Sequence, residues 1–119
     1  MSTQEIADRL VELYNDGKAT QAEQELYAND AVSNEQDPTF EPTQGLEAII
    51  AKTTMAGEMM ETVHTNRAET VLVNHDSFLV IFDLDVEMKN GFKLSGKEYG
   101  FYKVKDGKVV EEYFYVLQK

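Results

Sequence analysis

Cysteine and tryptophan are absent from the 119-residue chain, proline occurs twice, and basic residues number 11 against 22 acidic ones. Without cysteine there is no disulfide, no thiolate metal site and no cysteine nucleophile. Both prolines, Pro38 and Pro42, fall in one segment, which leaves the rest of the chain free for helix and strand. The formal charge of −11 argues against nucleic-acid and anionic-membrane partners, because both demand a basic surface. No apolar run approaches the ~20 residues that cross a bilayer. The N-terminal stretch MSTQEIADRL lacks the basic start and apolar run of a signal peptide. The expected location is the cytoplasm.

What is present suits one compact domain over residues 1–119. Hydrophobic residues make up 42 %, including six Phe and six Tyr, enough for a core that needs no staples. Ser2 and Glu5 form a capping-box pattern that opens a helix. Ile6, Leu10, Leu13 and Tyr14 follow at helical spacing until Asn15-Asp16-Gly17 stops it. Thr20 and Glu23 repeat the cap pattern before a short stripe of Ala22, Leu26 and Tyr27. Asp30 to Glu35 reads as extended, and Gln36 to Thr43 as a loop. A third helix runs from near Gln44 toward Glu61, with Leu46, Ile49, Ile50, Thr53 and Met60 as its buried face. Met55, Met59 and Met60 are expected to fill core gaps, since Met adapts to irregular spaces.

From Val63 the apolar period changes to two. Strands are predicted over Val63–Asn74, Ser77–Lys89, Lys93–Val104 and Val109–Leu117, with Phe78, Val80, Phe82, Leu84, Val86 and Met88 on one face. Helices followed by an antiparallel meander give an α+β domain. Loop length fixes which residues share the apolar face, because a one-residue slip flips a strand. A three-residue Lys89-Asn90-Gly91 loop puts Glu98, Gly100 and Tyr102 beside Phe82 and avoids burying Lys97. A similar loop at Lys105-Asp106-Gly107 adds Glu112, Phe114 and Val116. Glu98 and Glu112 then point into an apolar face and need partners, for which Tyr102, Arg67 or His64 are at hand. Either a polar cluster forms there or the register differs.

Other groupings carry less chemistry. His75-Asp76-Ser77 imitates a triad, but neighbours in a strand turn cannot reach one another in a relay. Asp83, Asp85 and Glu87 alternate along one strand face ~6.5–7 Å apart, too far to converge on a cation. Ser95-Gly96-Lys97 lacks the Gly-rich turn and following helix of a phosphate loop. Asp37, held extended before Pro38, reads as a turn residue. No metal site and no cofactor is expected.

The order of two short helices, YANDAV (Tyr27–Val32), a proline loop, GLEAI (Gly45–Ile49) opening a long helix, and a meander ending in DGKVVEEYF (Asp106–Phe114) resembles the SnoaL-like proteins of the nuclear transport factor 2-like superfamily. These are distantly related to ketosteroid isomerase and polyketide cyclases. The resemblance implies a cone-shaped, cystatin-like fold in which a curved antiparallel sheet wraps around the long helix and encloses a pocket. It also implies that Glu35 stands where related isomerases place their base. Their companion Tyr and protonated Asp fall on Leu10 and on or beside Gly100, so a conventional ketosteroid isomerase is not expected.

The function expected is therefore a cofactor-independent isomerase, cyclase or hydrolase acting on a small apolar or enolisable molecule. The alternative is a ligand-binding or dimeric interaction module without turnover. Besides Glu35, the residues expected at the pocket are Tyr14, Tyr27, His64, Phe82, Glu98, Tyr102, Glu112 and Phe114. The same register leaves Tyr99, Phe101, Tyr113 and Tyr115 on the opposite face, uncovered unless a second copy covers them. Light scattering at tens of micromolar is expected to report a homodimer, since an interface of standard size holds at that concentration. A monomer there contradicts the pairing.

Overall fold

The computed structural model of the chain describes residues 1–116, which form α1 (Thr3–Asn15), α2 (Ala19–Leu26), β1 (Tyr27–Glu35), β2 (Thr43–Gln44), α3 (Leu46–Glu58), β3 (Met60–Val73), β4 (Ser77–Met88), β5 (Lys93–Lys105) and β6 (Lys108–Val116). Leu117, read from the sequence as the last strand residue, lies outside the described residues. The strands make one curled sheet in the order β2-β1-β6-β5-β4-β3. All neighbours run antiparallel except β1 and β6, which are parallel. The expected α+β cone is the observed fold, with that one parallel pair as its departure from a pure meander. None of the helices among the described residues is long and apolar enough to cross a membrane.

The helix at the centre is α1, not α3. Its capping box is complete: Glu5 N–H donates to Ser2 Oγ, and Ser2 N–H donates to Glu5 Oε1. Ile6, Ala7, Leu10 and Leu13 are buried against Phe78, Val80, Phe82 and Tyr102 of the sheet's inner face. Beyond the helix, Gly17 takes a φ of 75°, which favours glycine and ends the element. Asn15 also donates to Ala68 C=O at 3.0 Å and accepts from Ala68 N–H at 2.7 Å. It thereby pairs with the exposed edge of β3, as a neighbouring strand would.

Two helix expectations are corrected. Thr20 and Glu23 make no cap: α2 starts at Ala19, Lys18 is its N-cap without a side-chain bond, and Glu23 turns inward with Ala22 and Leu26. Ala22 and Glu23 precede Leu26 by four and three residues, so both lie on its face of the helix. In α3 only Ile49 is fully buried, while Met55 and Met59 are 63 % and 43 % exposed and fill no core gap. This helix lies over α2 and β1 at the margin of the sheet, so only its inward stripe is covered. Met60 belongs to β3.

The hairpins fix the inner face. Met88 N–H donates to Phe92 C=O at 2.8 Å around Lys89-Asn90-Gly91, with Gly91 at φ 85°. Phe82 therefore sits opposite Glu98, Val80 opposite Gly100 and Phe78 opposite Tyr102, as the three-residue loop requires. The next turn differs from expectation. Lys105 pairs with Lys108 around Asp106-Gly107, both at positive φ as in a type I′ turn. An irregularity between Lys103 and Val104 then restores the register, so Glu112 still faces Tyr102 and Phe114 faces Gly100.

Gly100 is required by a close approach rather than by its backbone angle. A Cβ there would lie 2.8 Å from the Tyr102 ring, 2.9 Å from its hydroxyl and 3.1 Å from Phe82. Gly100→Ala is expected to cost about 1–3 kcal/mol by overpacking, read as a lower urea midpoint with unchanged m-value. An unchanged midpoint would mean that Tyr102 does not lie over this glycine.

Candidate functional site

Two adjoining hollows lie between the inner face and the helices. The outer is a cleft of about 740 Å³ walled by the 36–43 loop, α3, the middle of β5 and the end of β6; Glu35, Asp37, Phe40 and Lys52 line it. The inner hollow, about 140 Å³, is lined by Tyr14, Glu23, Tyr27, Tyr102, Glu112 and Phe82 among others. Glu98 and Phe114 line both, and so mark the junction.

Glu112 is 2 % exposed, and the Tyr27 hydroxyl donates a hydrogen bond to its Oε1. Burial pushes its carboxyl above the usual range, while hydrogen bonds from Ser33 and Tyr27 pull the other way. Lys52 Nζ in turn donates to Ser33 Oγ at 2.9 Å and pairs with Glu35 at 3.3 Å. The partner of Glu112 is thus a residue at the α2–β1 junction. Arg67 lies on the outer face opposite Asp83, and His64 is exposed beside Glu87 at 3.4 Å. Neither serves the inward carboxylates, contrary to the sequence expectation.

Glu23 is buried to 8 % exposure. Thr53 Oγ1 donates to its Oε2 at 2.6 Å, whereas its Oε1 is buried without a partner. Burial pushes this carboxyl up to about 7, with the Glu112 charge adding to the rise and Thr53 and Lys52 opposing it. Glu98 is raised too, first by burial and then by the charge of Glu35. Tyr14 donates to Asn66 Oδ1 at 2.5 Å and is pushed up to about 12, by burial and then by Glu98.

Of the residues singled out from sequence, Tyr14, Tyr27, Phe82, Glu98, Tyr102, Glu112 and Phe114 come together around the inner hollow. Glu35 stands at the outer cleft, half-exposed and engaged by Lys52. His64 lines neither hollow. Asp37 acts as a turn residue, its Oδ1 accepting from the N–H and Oγ1 of Thr39. Sequence reasoning missed Glu23, Ser33 and Lys52, and put Thr53 on the buried face of its helix without a role at the site. Lys52 follows the buried Ile49 by three residues, which was the available signal. Among the described residues, no group of three His, Asp or Glu side chains is placed to hold a metal ion.

The Glu23 shift makes a stability prediction. A carboxyl raised from 4.5 to about 7 binds more proton folded than unfolded, so stability falls as pH rises between those values. Glu98 and Glu112 act in the same direction. Glu23→Gln is expected to remove a loss on the order of 3 kcal/mol between pH 5 and 8, seen as a flatter pH profile of urea unfolding. A variant with the wild-type slope contradicts the assignment.

The sequence and fold comparisons agree. A family model described as SnoaL-like domain matches residues 1–116. A Mesorhizobium loti protein named as a candidate SnoaL-like polyketide cyclase, a name that also carries "carbohydrate phosphatase", is 35 % identical, with a TM-score of 0.86 over 97 % of this chain and 99 % of that one. A Catenulispora acidiphila protein with a ketosteroid isomerase-like fold is 16 % identical, with a TM-score of 0.71 over 96 % and 86 % of the two chains. A Xanthomonas campestris protein with a cystatin-like fold is 15 % identical, with a TM-score of 0.72 over 99 % and 92 %. No curated protein matches. With its helices, curled sheet and matching family model, the chain belongs to the SnoaL-like domain family.

Proposed function

We propose that the chain binds a small, largely apolar and enolisable molecule across the two hollows and moves a proton on it in an isomerase- or cyclase-type reaction. The observation that carries this reading is the position of Glu98. Its side chain lines both cleft and inner hollow, and burial raises its carboxyl above the usual range, which makes the carboxylate a stronger base. In the proposed step Glu98 takes a proton from the carbon next to a substrate carbonyl. The C–H electron pair moves into the new C=C bond and the carbonyl π pair onto oxygen. A hydroxyl lining the hollow, that of Tyr102, donates to the enolate oxygen. Return of the proton to another carbon regenerates Glu98.

Glu35 keeps a place in the proposal as the second carboxyl, facing a substrate lodged in the outer cleft. Its charge is one reason that Glu98 is raised. The lining carries Glu35, Asp37, Glu41 and Glu98 against Lys52, so a phosphorylated substrate would meet like charge. The phosphatase part of the Mesorhizobium protein's name is therefore not carried over. Leu10 and Gly100, at the positions where related isomerases hold their donors, favour a second reading in which the site binds without turnover. On the outer face Tyr99 stacks on Tyr115 at 5.1 Å and Phe101 lies 6.3 Å from Tyr113. This half-buried aromatic group supports the homodimer.

Deuterium exchange into a panel of enolisable ketones and lactones tests the chemistry. Glu98→Gln is expected to slow exchange by about 10²–10⁴-fold, the usual share of a general base. A loss confined to Glu35→Gln moves the base to the outer cleft. Wild-type rates in both variants discard proton transfer and leave binding.

A further inference from the structure

Glu23 has one oxygen used and one idle. Thr53 holds Oε2, and Oε1 is buried without a partner among the described residues, on a side chain that lines the inner hollow. A buried acceptor of this kind is completed by a donor that enters the hollow. The surroundings narrow what that donor is. Glu112 faces Glu23 from β6, Glu98 lines the same hollow from β5, and Tyr14, Tyr27 and Tyr102 close it from α1, β1 and β5. Lys52 is the basic side chain lining the outer cleft, and it is already engaged by Ser33 and Glu35. Among the described residues, no basic side chain lines the inner hollow. Aromatic rings complete the wall: Tyr14 meets Phe82 edge-on at 4.9 Å, and Phe114 lies 6.2 Å from both Phe82 and Tyr102. Carboxylates together with aromatic faces are the two environments that attract an organic cation.

We propose that the inner hollow takes the ammonium head of a small amine-bearing molecule, which donates an N–H to Oε1 of Glu23. The inference rests on the cavity being a ligand site, as proposed above, and adds the class of ligand. The head group fits about 140 Å³ when it carries only short alkyl groups, and the rest of the molecule extends past Phe114 into the outer cleft. Glu23 then sets specificity, while the proton transfer stays with Glu98 or Glu35. The ammonium binds the ionised form of Glu23, whose carboxyl sits at about 7, so binding releases protons near neutrality. A primary ammonium stays charged throughout that range, as lysine does.

Calorimetric titration of the full chain with isopropylammonium chloride, isopropanol and sodium isobutyrate separates the possibilities by charge at nearly constant shape. The ammonium is expected to bind most tightly and isobutyrate not at all. Ammonium affinity is expected to rise about tenfold from pH 6 to pH 8, following the ionised fraction of one group of pKa near 7. Buffers of different ionisation enthalpy are expected to show proton release. Glu23→Gln is expected to lower the ratio of ammonium to alcohol affinity at least tenfold. Should that variant not fold, the wild-type pH profile and proton release decide. Isopropanol binding as well as the ammonium, or an ammonium affinity flat in pH, overturns the inference while leaving the cavity reading in place. If no probe binds at millimolar concentration, both fall.

Discussion

The hydroxyl of Tyr27 on the carboxyl of Glu112 joins the place where α2 becomes β1 to the middle of β6. Burying a carboxyl without donors is costly, and removing one partner of a buried pair leaves about 1–3 kcal/mol unpaid for. Ser33 on β1 opposes the rise of the Glu112 carboxyl, and Lys52 on α3 donates to Ser33 in turn. One inward carboxyl thus gathers α2, β1, α3 and β6 at a single point. At that point β1 runs parallel to β6. Glu23 from α2 and Glu98 from β5 line the same hollow.

The consequence is an interior with more carboxyl groups than it has cations to neutralise. Glu23, Glu98 and Glu112 are all raised, each by burial before any other cause. A core selected for stability alone would replace them with apolar residues of similar size. Their presence around an aromatic-walled hollow supports the proposal that the hollow is a site, since perturbed carboxyls cluster where chemistry or recognition needs them.

The fold was legible because its signals are local. The alternation from Phe78 to Met88 and the Lys89-Asn90-Gly91 loop together set the register that turns Glu98, Gly100 and Tyr102 inward. Even the misjudged turn at Asp106-Gly107 left the faces unchanged, since the irregularity at Lys103 compensates. The site was only half legible. Glu98 and Glu112 were visible as inward carboxylates, but of the neighbours sought in Tyr102, Arg67 and His64 only Tyr102 lies beside them. The pairing of Tyr27 with Glu112 spans 85 residues and depends on the parallel β1–β6 contact, which no period in the sequence reveals. Glu23 was hidden for the opposite reason. Three residues after Thr20 it satisfies a local cap pattern, yet the crossing of α3, with Thr53 on it, draws it inward.

The central claim is that a carboxyl of the inner hollow titrates near neutrality because burial, not a nearby cation, governs it. Carbon-detected NMR of the glutamate side chains, with Glu23 assigned by its loss in Glu23→Gln, measures this without any ligand. A midpoint for Glu23 near 7 is the predicted result. A Glu23 midpoint between roughly 4 and 5, where an unperturbed glutamate titrates, would contradict the account.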